Sequence, residues 1–110
     1  MSQKSPILTS ISKSLPFNWY FKESHFKKEI NKIWSNEWIY ACHENSINKP
    51  LSYITLKISQ FSIIILRDKN GKICSYLNTC NHRGSTLCKE SRGKLKTPLL
   101  SCPYHQWSYN

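Results

Sequence analysis

Residues 78–88, NTCNHRGSTLC, and residues 101–109, SCPYHQWSY, carry two closely spaced pairs of candidate metal ligands. The pairs are Cys80-x-His82 and Cys102-x-x-His105. Ligands so close in sequence must project from one loop, and thiolate combined with imidazole suits either a tetrahedral Zn²⁺ or an iron–sulfur cluster. The ligand types alone leave both metals open.

The order of ligands within each pair favours the cluster. Zinc fingers usually pair like with like, two cysteines on a knuckle and two histidines on a helix. In a [2Fe–2S] cluster with mixed ligation, one iron takes both cysteines and the other takes both histidines, so each loop must supply one ligand to each iron. The 19 residues between His82 and Cys102 are enough to leave one loop, run a short strand and return. We therefore expect the two pairs to close on one cluster.

The two loops resemble those of the Rieske-type non-haem iron oxygenases, which comprise aromatic-ring-hydroxylating dioxygenase alpha subunits and related monooxygenases. The resemblance rests on residues 80–88 and 102–109, and more loosely on residues 15–68. It extends to four residues beside the ligands that are candidates for supporting the cluster: Arg83, Gly84, Tyr104 and Trp107. The chain departs from the family in a slightly longer connector and in Gln106, where many members carry Gly.

The resemblance implies a mostly β fold, a Rieske-type antiparallel β-domain preceded by a short amphipathic helix. It implies that electrons from a reductase or ferredoxin are relayed to a mononuclear Fe(II) that activates dioxygen. That iron needs two His and a carboxylate, and only His25 and His43 lie outside the two pairs. We therefore expect an amino-terminal fragment of an oxidoreductase subunit, truncated within its β-domain and inactive alone. The full protein is expected to assemble with other alpha subunits in a homo-oligomer.

The resemblance also suggests a low reduction potential. Rieske proteins of respiratory complexes carry an extra cysteine in each loop, and the two form a disulfide. Ser85 and Tyr104 stand at those places here. Fewer hydroxyl and disulfide supports near the sulfurs predict a potential near about −150 mV rather than about +300 mV.

Composition predicts one small domain, with no nucleic-acid partner and no membrane span. The 110 residues have a formal net charge of +10. Thirteen of the sixteen basic residues are Lys, and they are scattered rather than clustered with aromatic residues, which is typical of solvation rather than of a nucleic-acid stripe. The chain lacks a long apolar run or a leader-like start, so we expect a cytoplasmic protein. The three remaining cysteines, Cys42, Cys74 and Cys88, are expected to stay reduced.

The pattern predicts an arm and helix over residues 1–36 and the cluster domain over residues 37–110. The aromatic run at residues 16–21 is interpreted as a segment that covers a core. A helix is predicted from Ser24, which would cap it. Its apolar side repeats at helical spacing, through Phe26, Ile30, Ile33 and Trp34.

Strands are predicted at 38–42, 51–58, 61–67, 72–77 and 99–101. Asn70-Gly71 predicts a type I′ hairpin turn, whose return strand leads directly into Cys80. Gly93 and Pro98 are expected to break the connector, and residues 107–110 to enter another strand. His25 is interpreted as a solvated helix residue, His43 as a plain surface or core histidine rather than a ligand, and Cys88 as a buried thiol.

Two alternatives remain open from the sequence. One is a stand-alone Rieske ferredoxin that only carries electrons. The other is a structural zinc domain, which metal analysis would separate because Zn²⁺ is colourless.

Overall fold

The structure, a computed structural model, describes residues 13–110 and is mostly antiparallel β-sheet with one short α-helix, as predicted. Most of the predicted arm, residues 1–12, lies outside the described residues. The helical segments are a 3₁₀ turn at Phe17–Tyr20, helix α1 at Glu23–Glu29 with a π-helical turn at Ile30–Trp34, and a 3₁₀ turn at Glu44–Ile47. The strands are β1 Ser52–Ile58, β2 Phe61–Arg67, β3 Ile73–Leu77, β4 Arg92–Lys94, β5 Leu100–Ser101 and β6 Ser108–Tyr109.

Strands β1 to β4 form one sheet in the order β3-β2-β1-β4, and β5 pairs with β6 in a second, two-stranded sheet. All four strand pairings in these sheets are antiparallel. The β-branched run Ile63–Ile65 explains why β2 lies inside the sheet, since such residues pack well on a pleated surface. Strand β4 lies in the connector between the two ligand loops. It is the short strand that was expected between His82 and Cys102.

A small hydrophobic core joins the main sheet to the two ligand loops. Its buried members are Tyr53, Ile64, Leu66, Cys88 and Leu100. The first three come from β1 and β2, whereas Cys88 follows the first ligand loop and Leu100 precedes the second. The core therefore anchors one flank of each loop, and this sets where the loops sit over the sheet.

The β2–β3 hairpin forms as predicted, but its turn type differs. Gly71 has a φ of +88°, whereas Asn70 keeps a negative φ, and a type I′ turn needs positive φ at both central residues. Asp68 explains the difference, because its carboxylate accepts hydrogen bonds from the N–H groups of Asn70 and Lys72, both at 2.8 Å. The result is a longer connection in which Gly71 alone is left-handed, and β3 still leads into Cys80.

Gly93 lies inside β4 rather than breaking the connector. It stands opposite Tyr53 in the β1–β4 pairing. A Cβ atom at this position would lie 2.8 Å from the Tyr53 hydroxyl oxygen and 2.9 Å from Cζ. The glycine is therefore required because the Tyr53 ring crosses directly over the strand.

Gly93→Ala is expected to destabilise the fold by about 1–3 kcal/mol, the usual cost of forcing an extra methyl group into a packed position. The measurement is the urea midpoint of unfolding. Ser91→Ala, at an exposed position just before β4, is the control and should change stability by less than about 0.5 kcal/mol. Equal midpoints for the two variants would show that Tyr53 moves aside freely.

Helix α1 begins at Glu23, so the prediction that Ser24 caps it is wrong. Lys22 occupies the cap position without a side-chain cap, and its carbonyl accepts from the N–H groups of His25 and Phe26. The chain is already turning through Phe17–Tyr20, which lets the helix start one residue earlier than the sequence suggested. Glu23 also forms an ion pair with Lys27 at 2.9 Å.

Two aromatic predictions for the amino-terminal part are wrong. Residues 38–42 form no strand, and β4 rather than this segment pairs with β1 at Ser52–Ile54. Trp38 is fully exposed. The aromatic run at 16–21 does not cover a core in the described part of the chain, since Phe17, Tyr20 and Phe21 are all exposed. Residues that flank the ligand loops fill the core instead.

No helix within residues 13–110 has the length and apolar character to cross a bilayer.

Candidate metal centre

The first ligand loop is a tight turn around Cys80. Its N–H donates to the Ser85 carbonyl oxygen at 2.8 Å, and its own carbonyl accepts from the Gly84 N–H at 2.9 Å. Gly84 has a φ of +72°, a conformation that glycine adopts without steric cost. The turn places Cys80 on its buried side and leaves His82 exposed at its tip.

The second ligand loop repeats this construction between β5 and β6. The Cys102 N–H donates to the Trp107 carbonyl oxygen at 2.7 Å, and the Gln106 N–H donates to the Cys102 carbonyl oxygen at 2.9 Å. Gln106 has a φ of +61°, so the departure from Gly falls where the backbone is left-handed. A side chain in this conformation costs about 1–2 kcal/mol, and the β5–β6 pairing on both flanks holds the turn in place.

The structure brings like ligands from the two loops together. Cys80 and Cys102 are 2% and 3% exposed, whereas His82 and His105 are exposed. The Nδ1 atoms of the two histidines lie 3.3 Å apart, and the Cys102 thiol is among the neighbours that lower the Cys80 pKa. Each loop therefore contributes one buried thiol and one exposed imidazole.

Cys80 lies in a setting that favours its thiolate form. The Tyr109 hydroxyl donates a hydrogen bond to its Sγ atom at 3.0 Å. This bond is the largest cause of a lowered Cys80 pKa, and hydrogen bonds from the backbone N–H groups of His82 and Arg83 add to it against the opposing effect of burial. The thiolate is the form that binds metals.

Aromatic rings flank both histidines. Trp107 stacks on His82 with ring centroids 4.5 Å apart and planes inclined by 4°. Tyr104 stacks on His105 at 4.0 Å and 25°. Both aromatic residues remain partly exposed, so they restrict ring rotation while leaving the histidine edges at the surface. Arg83 is exposed, and its backbone N–H contributes to the lowered pKa of Cys80.

The remaining histidines and cysteines lie elsewhere. His25 is half-buried and stacks on Trp19 at 4.6 Å, so it is packed rather than solvated. His43 is exposed, and its Nδ1 atom accepts from the Asn45 N–H at 3.1 Å. Cys88 is buried in the core, as predicted. All five cysteines lie within the described residues as free thiols.

Tyr109 is a residue of this site that the sequence reasoning missed. Besides contacting Cys80, its hydroxyl oxygen accepts from the Asn81 N–H at 3.1 Å. The Tyr109 hydroxyl is thus one support near a sulfur, and the expectation that such supports are fewer than in respiratory Rieske proteins stays a prediction. One feature of the sequence could have indicated Tyr109: it lies four residues after His105, on a segment already predicted to be a strand. Its contact with Cys80 on the other loop was not visible in the sequence.

Tyr109→Phe is expected to lower the reduction potential of the loaded protein, because a hydrogen bond to a cluster thiolate stabilises the more negative, reduced state. A tenfold preference of this bond for the reduced state corresponds to about 59 mV. The measurement is a redox titration followed by visible absorption. Tyr104→Phe removes a hydroxyl that lies outside this contact and is the control. An unchanged or higher potential in Tyr109→Phe would contradict the role of the hydroxyl.

The donor set fits a Rieske [2Fe–2S] cluster. Such a cluster takes two thiolates on one iron and two imidazoles on the other, which is the arrangement of the two pairs. Within residues 13–110, no three His, Cys, Asp or Glu side chains lie close enough together to hold one metal ion.

Comparisons with known proteins agree with this fit. A family profile, the Rieske [2Fe-2S] domain, matches residues 37–110. The glycine betaine monooxygenase oxygenase subunit of Chromohalobacter salexigens is 38% identical over 96 residues, which span 87% of this chain and 21% of that protein. The benzene 1,2-dioxygenase subunit alpha of Pseudomonas putida is 32% identical over 91 residues, 83% of this chain and 20% of that protein.

Two solved structures share the fold. The quaternary ammonium Rieske monooxygenase CntA superposes with a TM-score of 0.76 at 33% identity, over 83% of this chain and 25% of that one. Naphthalene 1,2-dioxygenase from Rhodococcus sp. superposes with a TM-score of 0.70 at 34% identity, over 77% of this chain and 19% of that one. The chain spans about a fifth of the length of the curated relatives it matches. It belongs to the Rieske [2Fe–2S] domain family, and its relatives there are the alpha subunits of ring-hydroxylating dioxygenases and the Rieske monooxygenases.

Proposed function

We propose that this chain is the electron-entry domain of an oxygenase and holds its [2Fe–2S] cluster through Cys80, His82, Cys102 and His105. The observation that carries the proposal is that two loops of the same construction bring His82 and His105 together at the surface while each loop buries one thiol, Cys80 or Cys102. We further propose that residues 37–110 form the cluster domain and residues 1–36 an arm and helix attached to it. The position of the described core, which draws only on residues after 52, supports this division.

The chain's own residues prepare the site for a buried, charged group. The Tyr109 hydroxyl and the backbone N–H groups of the first loop compensate negative charge at Cys80. The stacked Trp107 and Tyr104 rings hold both imidazoles with their edges outward. When bound, a Rieske cluster supplies one-electron transfer at a potential that depends on hydrogen bonding and exposure.

The exposed histidine edges are the place where we propose that electrons leave the domain. They would be delivered by a reductase or ferredoxin and used at a mononuclear iron in a catalytic domain or a neighbouring subunit. The relatives support this direction because they are oxygenase subunits. A solved structure of CntA gives insight into inter-subunit electron transfer in that enzyme, which supports a homo-oligomeric full protein.

Anaerobic reconstitution with iron and sulfide tests this function. The protein should become red-brown, contain two irons and two acid-labile sulfides per chain, and accept one electron from dithionite. The measurements are metal and sulfide analysis together with a reductive titration. A colourless protein that instead retains one Zn²⁺ tightly in the same buffer would overturn the proposal and favour a structural zinc domain.

A further inference from the structure

Asn78 is a buried polar residue that the proposed electron transfer leaves without a role. It is 3% exposed, and it is the only Asn, Gln, Ser, Thr, His or charged residue buried among residues 13–110. It lies two residues before Cys80, immediately after β3. Burying an amide costs free energy unless all its polar groups find partners, so its hydrogen bonds show what it does.

The Asn78 side chain joins the two ends of the first ligand loop. Its Oδ1 atom accepts from the Cys88 N–H at 2.8 Å, and its Nδ2 atom donates to the Cys88 carbonyl oxygen at 2.8 Å. A third, longer bond runs from Nδ2 to the Ser62 hydroxyl at 3.2 Å, and the Asn78 N–H donates to the Ser62 carbonyl oxygen at 2.8 Å. The side chain therefore ties residue 78 to residue 88 and both of them to β2.

This pairing does for the first loop what a strand pair does for the second. The second loop is closed by the β5–β6 pairing of Leu100 with Tyr109 and of Ser101 with Ser108. The residues at the two ends of the first loop belong to no strand. Two paired residues in an antiparallel ladder exchange one N–H donor and one carbonyl acceptor each way, and the Asn78 amide offers that same donor and acceptor to Cys88.

Cys88, the hydrogen-bond partner of the Asn78 side chain, is itself held in place. Cys88 is buried in the core, where burial raises the pKa of its thiol and the Tyr53 hydroxyl contacts it. The first loop is therefore clamped between β3 on one side and the core on the other. Its position decides whether Cys80 reaches the Tyr109 hydroxyl, 3.0 Å away on the other loop.

We propose that Asn78 is a positioning residue that keeps the first ligand loop closed, so that Cys80 stays against Tyr109 and the two ligand pairs face each other. The proposal rests on the proposed ligand set for its redox consequence. Asn78→Ala leaves the Cys88 N–H and carbonyl without partners in a buried place, which should shift the loop toward open states by about ten- to a hundredfold.

The first experiment is peptide-resolved hydrogen exchange on the cluster-loaded chain. In the unsubstituted protein, the N–H groups of Asn78, Cys80 and Cys88, which all donate hydrogen bonds, should exchange as slowly as β2, whereas those of the exposed loop tip should not. In Asn78→Ala this segment should exchange at least about tenfold faster at those three positions while β2 is unchanged. Fast exchange of the segment in the unsubstituted protein would overturn the proposal without requiring any variant to fold.

The second experiment is a double-mutant cycle on the reduction potential. Asn78→Ala should lower the potential in the same direction as Tyr109→Phe. Adding it to Tyr109→Phe should change the potential little, because both substitutions remove the same contact at Cys80. Asn78 and Tyr109 share no hydrogen bond of their own, so only the position of the loop can couple them. An unchanged potential in Asn78→Ala, or fully additive shifts, would overturn the proposal.

Two variants provide controls. Thr55→Val removes another hydrogen bond from a side chain to the backbone, the one that Thr55 Oγ1 donates to the Glu90 carbonyl oxygen at 3.2 Å, outside the first loop. Ser62→Ala removes only the longest of the three bonds of the Asn78 side chain. Both variants should leave the reduction potential unchanged. A shift in Thr55→Val equal to that in Asn78→Ala would show that Asn78 affects the potential only through the general stability of the fold. If the unsubstituted chain assembles no cluster, the proposed function fails rather than this inference.

Discussion

Replacing His82 or His105 by alanine is expected to abolish the mixed-ligand cluster, whereas replacing Cys88 by alanine is expected to leave it in place. The two histidines are exposed and bring their Nδ1 atoms to within 3.3 Å, whereas His25 and His43 are engaged with other residues. Cys88 lies in the core, and burial keeps its pKa raised. A thiol that stays protonated is a poor metal ligand.

Iron content, the visible spectrum and the electron paramagnetic resonance spectrum of the reduced protein report this result. The expected loss in either ligand variant is complete rather than graded, because an iron with a single protein ligand is readily lost. His43→Ala is the matched control, since that histidine is exposed and bonded only within its own turn. Full loss of the spectrum in a folded Cys88→Ala variant would show that the ligand set is wrong.

The 110-residue chain is expected to accept electrons without hydroxylating any substrate. Dioxygen activation at a mononuclear non-haem iron needs two histidines and a carboxylate with open coordination positions. The two histidines outside the ligand loops are engaged separately, His25 against the Trp19 ring and His43 in a turn with Asn45. The described part of the chain brings no third metal-binding side chain to either of them.

Oxygen consumption and product formation, measured with a reductase and excess reductant, test this expectation. A full-length oxygenase subunit of a matched relative, supplied with its own reductase, is the positive control for oxygen uptake and product formation. Product formed by the 110-residue chain at a rate similar to that of this control would disprove the view that this domain only passes electrons on.

Much of the site could be predicted because its determinants are local in sequence. Two ligands separated by one or two residues must share a loop whatever the rest of the chain does, so the two pairs were visible from spacing alone. The alternation of Cys and His within each pair pointed to a two-iron cluster rather than to one metal. The β-branched run before Asp68 and the glycine after Asn70 likewise predicted the β2–β3 hairpin.

Predictions that needed knowledge of a neighbour failed. The aromatic segment at 38–42 has strand-forming residues, but a strand exists only when another strand pairs with it, and the strands that pair with β1 are β2 and β4. Gly93 was interpreted as a break because nothing in the sequence shows that the Tyr53 ring crosses over it. The turn type at Asn70 was changed by the carboxylate of Asp68.

The sequence by itself determined the mostly β fold and the family, and it predicted the two ligand pairs. Only the tertiary structure decided that the Tyr109 hydroxyl reaches Cys80, 29 positions away, and that Asn78 closes the first loop onto Cys88. These contacts depend on how separate strands are brought together around the Tyr53 and Ile64 core. Side chains that act across such distances leave no periodic or spacing signal, because long-range packing rather than local geometry makes them neighbours.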